Sequence, residues 1–142
     1  MKNETRTIKP QNLVAMIGGI RDKAYRFITK RLEEHGIGGI VPSHGAILAN
    51  LYNHGPMPMK ELAQRIQRKK NTLTILVNKL IEYGYIEKNA TTGDRRVGMI
   101  SLTEKALNIR EDFDQISEEL NAKAYENISE EEKIQLMTIL EK

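Results

Sequence analysis

A basic cluster in the middle of the chain combines the residue types that contact nucleic acid. Four of the six residues in the stretch 65–70, RIQRKK, are basic, and short polar side chains follow directly. Lysine and arginine neutralise phosphate groups, whereas asparagine and threonine can hydrogen-bond to base edges in the major groove of duplex DNA. A hydrated surface run is the common alternative for such a cluster. The candidate DNA contacts in this part of the chain are Arg68, Lys69, Lys70, Asn71, Thr72, Thr74 and Asn78.

One further candidate in this series is apolar. Ile75 lies between the polar positions Thr74 and Asn78 and off the main apolar stripe of its segment. Its side chain can contact the methyl group of a thymine, or it can pack on a neighbouring helix. The sequence slightly favours packing, and we keep Ile75 among the candidate contacts.

A second charged group, Asp94, Arg95 and Arg96, follows in a predicted β-hairpin. The flanking segments 85–89 and 97–102 are typical of strands, and the residues between them have turn chemistry. At a protruding tip, arginine can reach the narrow minor groove, and Asp94 can hold one guanidinium in a bidentate pair. A solvated turn is the alternative for a hairpin taken alone, but the basic helix before it favours a DNA contact.

No group of residues in the sequence is typical of a catalytic or metal site. The chain has no cysteine and no glycine-rich phosphate loop, and His35, His44 and His54 are nine and ten residues apart, too far for one helical face. We interpret these histidines as cap or surface residues. The acidic run 130–132 lies where a helix N-terminus favours negative charge. We therefore expect no enzymatic activity, no metal and no cofactor.

The composition is that of a single soluble domain. The chain has 142 residues, of which 39% are hydrophobic and 29% are charged, and this length is enough to bury a core. No apolar run approaches the roughly 20 residues of a membrane helix, and the N-terminal residues have no apolar signal core. The absence of cysteine excludes disulfides. We expect a cytoplasmic protein that does not contact membranes.

Charge is segregated along the chain although the net charge is only +3. Residues 60–98 carry nine Lys and Arg against four Asp and Glu, whereas residues 99–142 carry five against eleven. A basic middle beside an acidic end indicates one surface for a polyanion and another surface that a polyanion would avoid.

The spacing of apolar residues predicts that the basic cluster lies in a helix-turn-helix. The segment MKELAQRI forms a short helix, and the next helix begins near Asn71 and ends just before Gly84. An earlier, shorter helix ends near residue 54 and has Ser43 as its expected N-cap. Two helices followed by a hairpin make a winged helix-turn-helix pattern.

Long helices are expected on both sides of this pattern. A helical stripe runs over 11–34, Thr103 can cap a long helix after the hairpin, and Ser129 with Glu132 is a capping-box pattern that opens the last helix. The predicted fold is mainly α with a small β-hairpin wing, in which long N- and C-terminal helices flank the winged helix-turn-helix core.

The run from 42 to 106 resembles the MarR-type transcriptional regulators. The matching segments are PSHGAILANLYNHGPMPMKELAQRI, KKNTLTILVNKLIEYGYIEK and GDRRVGMISLTEKA. The most specific elements are the pair Asp94-x-Arg96 and the Ser-Leu-Thr run that follows it.

This resemblance implies a homodimer that binds a pseudo-palindromic operator in double-stranded DNA. It implies one unit over 1–142, with dimerisation helices in 11–41 and 103–142 and a DNA-binding part in 42–102. Arg96 would enter the minor groove beside Asp94, while Lys70, Asn71, Thr72 and Thr74 would lie on the recognition helix.

The sequence departs from the family pattern at two positions on the DNA-binding side. Pro58 stands where many members have a threonine cap, and Ile75 stands where many have arginine. The cysteine of peroxide-sensing members and the ligand cluster of zinc-sensing members are absent. The base preference therefore cannot be taken from relatives.

The expected function is that of a sequence-specific regulator, a repressor that responds to a small molecule. A winged helix used only for protein contacts is the alternative, although it leaves the basic turn and the arginine tip without a role. By resemblance an effector pocket lies between the first and second helices. The candidate residues for its walls are Gly18, Gly19, Ile20, Ala24, His44 and Leu48.

Overall fold

The computed structural model describes residues 8–89 and 98–142. A single 3-10 turn, Pro10–Asn12, leads into the first helix. In chain order the elements are α1 (Leu13–Glu34), α2 (Pro42–His54), β1 (Met57–Pro58), α3 (Met59–Ile66), α4 (Lys70–Glu82), β2 (Ile86–Lys88), β3 (Met99–Leu102), α5 (Glu104–Asn108), α6 (Arg110–Ala124) and α7 (Glu130–Leu140). This arrangement confirms the predicted fold class of a mainly helical chain with a small antiparallel sheet.

The hydrophobic core lies beneath the helix-turn-helix and joins it to α2 and the sheet. The apolar faces of five elements supply the residues that are fully removed from solvent, namely Ile47, Leu48, Leu62, Leu73, Leu80, Ile100 and Ala106. Because α3 and α4 each bury only one face, their opposite faces are available to a partner.

The sheet has the strand order β1-β3-β2, and all its pairs are antiparallel. The predicted hairpin is present, with Ile86 opposite Leu102 and Lys88 opposite Ile100. The strand β1 was not predicted, because two residues show no periodicity and one of them is Pro58. That proline is tolerated because β1 lies at the edge of the sheet, where one side of the strand has no neighbouring strand to hydrogen-bond.

The structure corrects two helix boundaries. The N-cap of α2 is Val41, and Ser43 lies inside the helix, because Pro42 occupies the first helical position, where its fixed φ suits a helix start. The single long helix expected after Thr103 is divided at Ile109 into α5 and α6. At this point the Tyr52 hydroxyl donates to the Ala106 carbonyl, and a side chain that inserts into the helical ladder in this way interrupts the helix.

Two predicted caps are confirmed. The Thr103 hydroxyl accepts a hydrogen bond from the Ala106 N–H at 3.4 Å. At the start of α7, the Ser129 hydroxyl accepts from the Glu132 N–H at 3.2 Å, and the Glu132 carboxylate accepts from the Ser129 N–H at 2.8 Å. These caps begin the two C-terminal segments where the sequence placed them.

Candidate nucleic-acid interface

A tight turn between α3 and α4 presents the basic cluster. Gln67 adopts a left-handed conformation, with φ of 52° and ψ of 46°, and the Arg68 N–H donates to the Ala63 carbonyl at 3.2 Å. Helices often end in this way, but glycine is the usual residue because a side chain there costs about 1 kcal/mol or more. The sequence predicted a turn here but not the left-handed residue within it, since glutamine is not typical of left-handed positions.

The N-terminus of α4 has no side-chain cap. Lys69 is the N-cap residue, with an extended backbone, and the first turn contains no acidic residue. The first N–H groups of a helix need partners outside the helix, and they carry the positive end of its dipole. Such an end, combined with the side chains of Lys69 and Lys70, is suited to bind a phosphate.

The cations of this turn differ from the arginine just before them. Arg65 is paired with Glu61, with an N to O distance of 3.0 Å. Within residues 8–89 and 98–142, Arg68, Lys69 and Lys70 are exposed and have no carboxylate partner. Their positive charges are therefore directed to solvent, where a polyanion can reach them.

The exposed face of α4 combines amide and apolar side chains. Leu73, Val77 and Leu80 are buried on the opposite face, while Asn71 and Asn78 are exposed. Ile75 is exposed over 71% of its surface. The slight preference for packing that the sequence suggested for Ile75 is therefore wrong.

The two threonines of α4 are exposed, and the hydroxyl of Thr74 already makes one hydrogen bond within the helix. The Thr74 hydroxyl donates to the Lys70 carbonyl at 2.8 Å, so its outward oxygen can only accept a further hydrogen bond. Thr72 is exposed in the first turn. A base edge would thus meet an acceptor and a methyl group at Thr74.

The C-terminal end of α4 is fastened to the next part of the chain. Gly84 follows the helix with φ of +79°, and its carbonyl accepts a hydrogen bond from the Thr103 hydroxyl at 2.5 Å. The ammonium of Lys105 donates to the Tyr83 carbonyl at 2.6 Å and lies 4.4 Å from the ring centre of Tyr85. These contacts, together with the buried face, hold the orientation of α4 relative to α5.

The hairpin beside α4 closes at the base of the predicted wing. The Asn89 N–H donates to the Met99 carbonyl at 3.0 Å, and the Gly98 N–H donates to the Asn89 carbonyl at 2.8 Å. The wing residues Asp94, Arg95 and Arg96 lie outside the described residues, so their contacts remain predictions.

The predicted effector-pocket residues fall into two different environments. Gly18, Gly19 and Ile20 lie on the N-terminal half of α1, and a Cβ atom on either glycine would meet no atom within 4 Å. His44 and Leu48 are buried in α2, and Ala24 is half-buried in α1. Two shallow clefts, of about 480 Å³ beside α3 and about 250 Å³ among α2, β3, α5 and the start of α6, are lined by other residues. The effector pocket remains a prediction.

Two of the histidines make contacts at helix ends, His44 with the backbone and His35 with a carboxylate. His44 is buried, and its Nδ1 atom accepts a hydrogen bond from the Val41 N–H at 3.1 Å. Burial lowers the pKa of His44, and the positive charge of Lys79 lowers it further. The Nδ1 atom of His35 lies 2.7 Å from the Asp112 carboxylate, which links α1 to α6. Among the described residues no group of three potential ligands is arranged to hold a metal ion.

The terminal helices expose apolar side chains at positions where a single chain offers no partner. On α1 and α7 these residues are Leu13, Val14, Met16, Ile17, Ile20, Ile134, Leu136, Met137, Ile139 and Leu140. None of the described helices is both long and apolar enough to cross a bilayer. Exposed apolar patches of this kind mark sites of protein association.

The α1 and α6 helices are joined by charged contacts as well as by packing. The guanidinium of Arg31 binds both carboxylate oxygens of Glu119, at 2.7 and 2.9 Å. The same contact lowers the pKa of Glu119. A bidentate pair of this geometry fixes the angle between the two helices more tightly than a single contact would.

Comparison with known proteins identifies relatives over most of this architecture. A model of the MarR family matches residues 40–97. An uncharacterised HTH-type transcriptional regulator of Bacillus subtilis, YwhA, is 29% identical over 119 residues, which cover 80% of this chain and 83% of that protein.

Solved structures show the same fold. A mutant of MarR from E. coli, complexed with operator DNA, superposes with a TM-score of 0.78 and 19% identity over 94% of this chain and 97% of that one. The organohalide-sensing regulator RdhR, in its 2,4-dichlorophenol-bound form, superposes with a TM-score of 0.80 and 24% identity over 99% of this chain and 82% of that one.

Proposed function

We propose that the chain is a MarR-type winged helix-turn-helix regulator and that its α4 enters the major groove of a pseudo-palindromic operator as one half of a homodimer. The wing, through Arg96, contacts the adjacent minor groove. We assign the chain no enzymatic activity, and we place it in the cytoplasm, where its DNA partner is.

The observation that carries this proposal is the N-terminal half of α4. Its first turn has no side-chain cap and no acidic residue, and Lys69 and Lys70 flank it. Asn71 and Asn78 are exposed on the face away from the core. A helix of this kind can bind phosphate with its end and base edges with its exposed side.

The homodimer follows from the exposed apolar residues of α1 and α7. We propose that residues 11–41 and 103–142 form the dimer and that residues 42–102 bind DNA. The acidic charge of residues 99–142 suits a platform that is held away from the phosphates. A twofold dimer would place its two α4 helices in successive major grooves, about 34 Å apart.

A response to a small molecule is the regulatory part of the proposal. The bound phenol in the similar structure of RdhR supports it. We place the effector between the dimer helices and the DNA-binding part, with walls that include His44 and Leu48. Its binding releases the operator, so that the protein acts as a repressor.

A salt titration tests the DNA-binding proposal. The purified full-length protein is incubated with duplexes selected from a random pool, and fluorescence anisotropy gives the affinity at several KCl concentrations. We expect the logarithm of the affinity to fall steeply and linearly with the logarithm of salt concentration. Lys70→Ala should make this slope shallower by about 2, one phosphate contact per subunit.

The control is Lys142→Ala, which removes the same charge from the acidic end of the chain and should leave the slope unchanged. Arg96→Ala should reduce the affinity by about 100-fold if the wing binds both half-sites. A wild-type affinity that does not vary with salt would contradict the proposal. Unchanged DNA mobility at saturating protein would favour a winged helix that serves protein contacts only.

A further inference from the structure

Among the described residues, Ile75 is the one large apolar residue of the helix-turn-helix that is more than half exposed. Large apolar residues that are more than half exposed otherwise lie in the N-terminal segment, on α5 or on α7, where Leu13 and Ile134 are examples. Ile75 is exposed over 71% of its surface in the middle of the helix-turn-helix. The dimer proposed above would leave Ile75 uncovered, so its side chain is accessible to a different partner.

The geometry of α4 places Ile75 beside two amide side chains. With about 100° of rotation per residue, Ile75 lies about 40° from Asn71 and about 60° from Asn78 around the helix axis. All three are exposed, and they lie opposite the buried Leu73 and Val77. If α4 enters the major groove, Ile75 therefore faces the floor of the groove together with the two asparagines.

We propose that Ile75 binds the 5-methyl group of a thymine in each half-site and thereby specifies an A·T pair. This inference rests on the proposed DNA-binding function and adds the base that is read. The methyl group of thymine is the only alkyl group that an unmodified base pair presents on the floor of the major groove. Isoleucine has no donor or acceptor with which to bind any other base edge.

The stiffness of the isoleucine side chain favours this role. In a helix, a β-branched residue has one strongly preferred χ1 rotamer, so Ile75 loses little freedom when it contacts a base. Asn71 and Asn78 can each donate to and accept from an adenine edge. On the exposed face of α4, Asn71, Ile75 and Asn78 thus combine two amides with one apolar group, and this combination suits A·T pairs.

Replacing single thymines by deoxyuridine tests the contact, because this change removes only the methyl group. The best duplex selected by the wild-type dimer is prepared with each thymine replaced in turn, symmetrically in both half-sites. We expect one position at which the wild-type affinity falls by about fivefold per half-site, the value of roughly one buried methyl group. Ile75→Ala should bind with lower affinity and should show no loss at that position.

The matched control is Ile81→Ala, which makes the same truncation further along α4 and should keep the wild-type response to deoxyuridine. A second variant, Ile75→Arg, should shift the preference at that position from an A·T pair to guanine, which a guanidinium binds through two hydrogen bonds. Thermal melting establishes that the variants are folded, as expected for an exposed position.

The outcomes distinguish the two proposals. If the wild-type protein binds no duplex even at low salt, the DNA-binding function fails and the role of Ile75 fails with it. If the wild-type protein binds with a steep salt dependence but Ile75→Ala has the same deoxyuridine profile, only the role of Ile75 is overturned.

Discussion

The first turns of α4 and α7 differ in every feature that stabilises a helix start. In α7, Ser129 and Glu132 form a capping box, and residues 130–132 are all glutamates. In α4, the N-cap Lys69 makes no side-chain cap, and the cluster beside it is basic. A cap contributes about 1 kcal/mol, and a cation near the positive end of the dipole is unfavourable by a few tenths of a kcal/mol. In the free protein, the start of α4 therefore lacks the stabilisation that a capping residue and acidic side chains would provide.

Packing shows the opposite difference. The α4 helix buries Leu73, Val77 and Leu80, whereas α7 has no buried residue in the single chain. Each helix thus lacks one of the two contributions that usually stabilise a helix in a protein. We infer that a phosphate supplies the missing contact at α4 and that the partner subunit supplies it at α7.

Disrupting the apolar surface of α7 should have the largest effect. Ile139 is 63% exposed in the single chain, so Ile139→Glu should leave the subunit folded. In the dimer it would bury an unpaired carboxylate twice, which should weaken dimerisation by about 1,000-fold, or about 4 kcal/mol. Sedimentation equilibrium measures the dissociation constant.

The control for this variant is Gln135→Glu, which adds the same charge at a polar position of α7 and should leave the dimer unchanged. If Ile139→Glu sediments as the wild-type dimer does, this part of α7 is not in the interface. The partner subunit then does not supply the packing that α7 lacks.

Supplying the cap that α4 lacks should have the next largest effect. It should stabilise the folded protein and weaken DNA binding. The backbone of Lys69, with φ of −66° and ψ of 146°, already suits a capping residue. Lys69→Asp should raise the free energy of unfolding by about 1 kcal/mol. It should also weaken DNA binding by about 100-fold, because each half-site phosphate meets a carboxylate in place of an ammonium.

The counterpart variant at α7 is Ser129→Ala. It should lower the free energy of unfolding by about 1 kcal/mol and leave the DNA affinity of the folded dimer unchanged. Urea unfolding and anisotropy measure the two quantities. If Lys69→Asp strengthens DNA binding, or leaves it unchanged, the start of α4 does not bind phosphate.

The same comparison shows which features of the fold could be predicted from sequence. The caps at Thr103 and Ser129 were predictable because a hydroxyl residue three positions before its partner is a local signal. The strand β1 was not, since its existence depends on pairing with β3, far along the chain. The left-handed Gln67 also had no signal, because the turn is imposed by the packing of α3 and α4.

The residues of the candidate site could be predicted from the sequence, but the surface that they form together could not. Composition and spacing identified Lys69, Lys70 and Asn71 on a helix start, and the structure confirms that they are exposed there. The side to which Ile75 points was not decided in the sequence analysis, because an isolated apolar residue off the main stripe can still pack on a neighbouring helix. Only the positions of Leu73 and Leu80 in the core determine it.

The start of α2 provides the smallest expected effect and a third type of helix start. Here the group that caps Val41 is the imidazole of His44, which accepts a hydrogen bond through Nδ1 only while that atom is unprotonated. Because burial lowers the pKa of His44 in the folded protein, the unfolded chain binds a proton at higher pH than the folded chain does. Stability from this group is therefore complete above about pH 6.5 and is lost as the pH falls toward the lower folded pKa.

Urea unfolding between pH 7.5 and pH 5 measures this contribution. We expect the wild-type free energy of unfolding to fall by about 1 kcal/mol more than that of His44→Gln, the value of one cap. His54→Gln removes an exposed histidine and should behave as the wild type. Equal losses in wild type and His44→Gln would show that His44 does not act as a titratable cap. A difference would distinguish three helix starts by their partners. The cap of α7 persists to lower pH, the cap of α2 is lost in acid, and the start of α4 is completed by the proposed DNA phosphate.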